Sequence, residues 1–101
     1  MITSAQCRAA RALVEISRAT LARLAGTEIA VVEQFERKLA KPDAETVSRI
    51  QEALESAGAV FIPESVDGSG AGVRLKFNSS STRRLAILED EGGIARPDDV
   101  P

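Results

Sequence analysis

Apolar positions recur every three to four residues over the first 58 positions of the chain and then alternate. Cys7, Ala10 and Val14 follow Thr3 at helical spacing, and Thr3 with Gln6 makes a capping box, which predicts a first helix through about Val14. Leu21, Leu24 and Ala25 form the apolar stripe of a second helix at about residues 18–25. Ser17 caps it and Gly26 closes it, because glycine enters the left-handed region at little steric cost. A third helix at about residues 28–37 turns Val32 and Phe35 inward and leaves Val31 at the margin. Its outward positions are Glu28, Ile29, Ala30, Glu33, Gln34 and Arg37. Asp43 caps a fourth helix, with Glu45 at the positive dipole end, a buried stripe of Val47, Ile50, Leu54 and Ala57, and Gly58 as its stop.

Beyond Gly58 the period shortens to two. Val60-Phe61-Ile62 reads as a short strand stopped by Pro63, and Val73, Leu75 and Phe77 alternate with Arg74 and Lys76 in a second. The fold class expected is therefore mainly α: a bundle of four helices followed by a short β-hairpin. A lone hairpin is marginal in water and needs a third surface. The equivalent strands of a second subunit are favoured over the chain's own helical core, with Val60, Phe61, Ile62, Val73, Leu75 and Phe77 as the dimer interface. Residues 79–93 offer one last short helix, with Leu85 and Leu88 on one side. Residues 94–101 read as a disordered end. The organisation expected is a helical domain at 1–58, a hairpin at 59–78 and a tail at 79–101.

The stretch from Ser17 to Gly26, continued through Glu33-Gln34-Phe35-Glu36, has the layout of a helix-turn-helix. On Ser17-Arg18, Leu21-Ala22, Ala25-Gly26-Thr27 and Val32-Glu33-Gln34-Phe35-Glu36, over about residues 2–62, the chain resembles the Xre family of helix-turn-helix regulators, the group that includes the lambdoid phage repressors. The resemblance implies a lambda repressor-like DNA-binding bundle and a buried ion pair between Arg11 and the helix-closing Glu36. Arg18 stands where the family usually has Gln, and its planar guanidinium suits a phosphate oxygen.

With the third helix in a major groove, Ile29 and Ala30 would pack on thymine methyls and Glu33 or Glu28 would accept from a cytosine amino group. Gln34, with its bidentate amide, would be the main reader of adenine. Ser17, Arg18, Thr27, Arg37, Lys38 and Lys41 are the expected phosphate contacts, the two lysines lying in the connection that would run beside the duplex backbone.

Composition adjusts this picture. The chain has 101 residues, and a core of that size gains from a partner subunit. Net charge is −2, unlike a generic phosphate binder, but basic and acidic residues balance through Gly58. The acidic excess sits late in the tail, from Glu89 onward, where Glu89, Asp90, Glu91, Asp98 and Asp99 stand against Arg96 alone.

A single cysteine excludes an internal disulfide, and the absence of histidine excludes an imidazole metal site and a His-based triad. No glycine-rich phosphate loop follows a strand, so neither an enzyme nor a cofactor nor a metal is expected. No apolar run approaches ~18 residues and no signal pattern opens the chain, which places it in the cytoplasm, away from membranes.

The function expected is a homodimeric transcriptional regulator, a repressor, on a palindromic operator of double-stranded DNA. The alternative is a protein-binding module on the same scaffold, such as an antitoxin or anti-activator. The tail offers a further surface for a protein partner.

Overall fold

A computed structural model describes residues 1–77. Four helices, α1 (Ser4–Val14), α2 (Arg18–Ala25), α3 (Ile29–Glu36) and α4 (Ala44–Ser56), precede an antiparallel pair, β1 (Ala59–Ile62) and β2 (Gly72–Leu75). The expected final helix in 79–93 and the disordered end at 94–101 lie outside the described residues.

The helix ends follow from local chemistry. Thr3 accepts from the Gln6 N–H while the Gln6 side chain accepts from the Thr3 N–H, completing the capping box. Ser17 and Asp43 cap α2 and α4 through Thr20 and Thr46. Gly26 takes φ +68 after α2, as the turn requires. Two turns do this without glycine: Glu15 after α1 and Lys38 after α3 both sit at φ +59. A β-carbon in that region is strained by about 1–2 kcal/mol. Lys38→Gly should accordingly raise stability by about 0.5–1 kcal/mol, less than the full strain because glycine also loosens the unfolded chain. A urea midpoint that falls instead would show that the lysine side chain contributes more than its backbone strain removes.

The core is a single cluster in which Cys7 and Ala10 of α1, Leu21, Ala22 and Ala25 of α2, Val32 and Phe35 of α3, and Val47, Ile50, Ala53 and Leu54 of α4 meet. Two expected stripes are corrected. Leu24 is 53% exposed. Successive helical residues turn by about 100°, so the buried trio Leu21, Ala22 and Ala25 centres α2's inner face about 110° away from Leu24. On α4, Ala53 completes the inner face, while Ala57 has become the C-cap and is half-buried.

The hairpin is also corrected. Its register pairs Ala59 with Leu75 and Phe61 with Val73 on one face, and Val60 with Arg74 on the other. Ala59 is buried, and Phe61 and Val73 pack on the helical core. The third surface that a hairpin needs is thus supplied by this same chain, with Phe61 and Val73 partly buried against it. Val60 and Ile62 lie on the opposite face, and Phe77 lies beyond β2 and is exposed.

The Gln6 amide secures the arrangement, donating to the carbonyls of Ile62 (3.3 Å) and Gly72 (2.9 Å), the strand pair next to the hairpin's loop. Among the described residues, no helix is long and apolar enough to cross a membrane.

Candidate functional site

Three residues, 26–28, connect α2 to α3, and the two helices share the core through Leu21, Ala22, Ala25, Val32 and Phe35. What this pair exposes is set by one buried carboxylate. Glu36, the last residue of α3, is fully buried. Arg11 grips it with a two-pronged contact, Nε to Oε2 at 2.9 Å and Nη2 to Oε1 at 3.0 Å. The Arg18 Nε donates to Oε1 at 3.0 Å and the Cys7 thiol to Oε2 at 3.3 Å. Arg8 donates to the Glu36 carbonyl, and Arg11 Nη1 to the Ile16 carbonyl at 3.2 Å.

One side chain therefore ties α1, the start of α2 and the end of α3 together. Burial pushes the Glu36 carboxyl upward, but hydrogen bonds from Arg11, Arg18 and Cys7 outweigh it and hold the group below its ordinary value of 4.5. The same contacts raise Arg11, chiefly through its hydrogen bond to Glu36. Burial, with the adjoining carboxylate, pushes the Cys7 thiol up to about 12, so Cys7 is an unreactive donor within the core.

The expected Arg11–Glu36 pair is therefore present, but it is half of a larger cluster. Arg18, expected on phosphate, already has its Nε on Glu36. Arg8 was not foreseen, although its place one turn before Arg11 on the same helix was a usable signal. The convergence gathers Arg8, Arg11 and Arg18 at the C-terminal end of α3, where a helix dipole favours cations.

The outward face of α3 carries Glu28, Ile29, Ala30 and Gln34, all exposed, with Ile29 at 51%. Gln34 makes no side-chain hydrogen bond among the described residues, so its amide is available to a ligand. Glu33 and Arg37 are engaged with each other at 3.1 Å, an i,i+4 pair worth only a few tenths of a kcal/mol. Thr27 is half-buried, its N–H bonded to the Ala22 carbonyl at 2.9 Å. Ser17 is exposed but occupied as a cap. Lys38 and Lys41 are exposed just past α3, and neither has an acidic partner among the described residues. Among those residues no group of His, Cys, Asp and Glu could hold a metal ion.

These features define a small α-rich domain of four helices and a two-stranded antiparallel sheet, with a mixed polar and apolar helix face beside a basic edge. Neither a family model nor a curated protein matches the chain.

Proposed function

We propose that the protein is a sequence-specific DNA-binding regulator with a lambda repressor-like helix-turn-helix, in which α3 enters the major groove. The observation that carries this is the α3 surface itself. Gln34 is exposed and makes no side-chain hydrogen bond among the described residues, Ile29 and Ala30 are exposed on the same helix, and Lys38 and Lys41, without an acidic partner among those residues, follow in the loop after α3. A face of this composition can read base edges while the lysines set register on phosphates. The Glu36 cluster supports it by fixing the angle between α1, α2 and α3 and by concentrating arginines near the same edge.

A homodimer would present two copies of α3 about one helical turn apart on a palindromic operator and repress by occupying a promoter. With Phe61 and Val73 facing their own core, the second subunit has the outer hairpin face of Val60 and Ile62, or the unpaired strand edges, to dock on.

Mobility-shift titrations at several salt concentrations test this on the promoter of the protein's own gene. Lys41→Ala should weaken every sequence alike and flatten the salt slope by about one counterion. Gln34→Ala should remove about 1–3 kcal/mol of discrimination at a single base position. Equal losses on all sequences for Gln34→Ala would remove it as a base reader, and no binding to any duplex at low ionic strength would end the proposal.

One observation favours a second reading. The first turn of the exposed face is acidic and apolar, with Glu28 next to the half-exposed Ile29. A protein groove would accept that surface, making the domain an antitoxin or anti-activator. A stoichiometric protein companion, with no DNA retained, is the result that selects it.

A further inference from the structure

The start of α1 and the loop after α3 border an open groove of about 500 Å³, whose lining includes Met1, Thr3, Ser4, Lys38, Leu39 and Lys41. Its apolar floor is unusually available, with Met1 71% and Leu39 64% exposed. Its rim carries Lys38 and Lys41, which have no acidic partner among the described residues. The Ser4 hydroxyl fixes the geometry by donating to the Phe35 carbonyl at 2.6 Å.

An apolar floor with a cationic rim fits a ligand that is apolar at one end and acidic at the other. Residues 85–91 of this chain have that pattern in order: Leu85, Ala86, Ile87 and Leu88, then Glu89, Asp90 and Glu91. Reach permits it. The groove residue Thr3 is bonded to Gln6 at 3.0 Å, and Gln6 to Gly72 at 2.9 Å, so the beginning of β2 lies close by. Five residues carry the chain from Gly72 to Phe77, about 17 Å at full extension, and eight more reach Leu85, up to about 26 Å. The segment can therefore return to the groove from the end of the described chain.

We propose that residues 85–91 dock in this groove within the same molecule, with Leu85 and Leu88 on Met1 and Leu39 and with Glu89, Asp90 and Glu91 on Lys38 and Lys41. A short tether supplies an effective concentration of about millimolar, enough to populate a contact too weak to form between separate molecules. The docked acidic residues neutralise the two lysines. On the DNA-binding reading, which only this consequence rests on, the tail competes with phosphate for Lys38 and Lys41 and holds affinity down.

Met1 is the only methionine, so a ¹³C-labelled methyl there reports on the groove in the intact protein. The wild-type chain should show nuclear Overhauser contacts from the Met1 methyl to Leu85 and Leu88. Leu85→Ser/Leu88→Ser, an uncharged change beyond the described residues, should abolish them and shift the resonance. Glu89→Lys/Asp90→Lys/Glu91→Lys should do the same, and Lys38→Glu/Lys41→Glu added to it should restore the contacts.

A Met1 resonance identical in wild type and tail variants overturns the docking. Contacts that strengthen over a ten-fold rise in protein concentration assign the groove to a second copy and overturn it as well. Leu85→Ser/Leu88→Ser should also raise DNA affinity about two- to ten-fold. If the Met1 contacts are present and affinity is unchanged, the docking stands and the competition with DNA does not.

Discussion

Replacing Glu36 with alanine is expected to destabilise the protein by about 3–5 kcal/mol, read as a lowered midpoint in urea. The side chain is fully buried and accepts four hydrogen bonds, three of them from the guanidinium groups of Arg11 and Arg18. Its loss leaves two partly buried cations facing each other across an empty space. Glu36→Gln keeps the shape and loses the charge. It should be intermediate, because its single amide oxygen replaces only one of the two carboxylate oxygens, and the amide N–H groups at the other position then face an Arg11 donor.

The pH dependence has a definite sign. The folded-state pKa of Glu36 lies below its ordinary value, so the contribution is fully present above about pH 4.5 and disappears as pH falls through the depressed folded value. The wild type should therefore lose stability steeply in acid, and Glu36→Gln should lose less over the same range. Parallel acid profiles for the two would show that the cluster does not govern acid unfolding.

The second large effect separates two leucines that the sequence treats alike. Leu21→Ala should cost about 2–5 kcal/mol, since Leu21 is completely enclosed and its neighbours Ala22 and Ala25 have no side-chain length with which to fill the space. Leu24→Ala should stay within about 0.5 kcal/mol, because that side chain faces solvent over half its surface. For a domain of this size, 1 kcal/mol corresponds to about 4–8 °C in Tm, so thermal melts alone distinguish the two variants. Equal losses would mean that Leu24 is covered in solution, which a subunit contact at α2 would explain.

Helix placement was legible because its causes are local. Thr3 with Gln6, Ser17, Gly26 and Asp43 mark their ends through hydrogen bonds and backbone preferences that involve residues three or four apart. Lys38 was not legible as a helix stop, since nothing in a lysine announces a left-handed backbone. It adopts one because the N–H of Leu39 folds back to the Gln34 carbonyl at 2.8 Å. The hairpin strands were legible from alternation, but not the surface they pack against: an apolar face is the same in sequence whether it meets its own core or another subunit. The outward set on α3 was visible from its period of 3.6, whereas the pairing of Glu33 with Arg37 and of Arg18 with Glu36 depended on which rotamers the neighbours leave open.

Periodicity and capping in the chain alone thus determined four helices, their order and a closing hairpin, along with the exclusion of disulfide and histidine chemistry. Only the tertiary arrangement decided that Leu24 is left outside, that the hairpin lies on α1 with Gln6 as its tie, and that three arginines converge on Glu36. The difference is one of range. Backbone propensity acts over a single turn, while burial and charge pairing depend on distances between residues tens of positions apart, which exist only once the chain has folded.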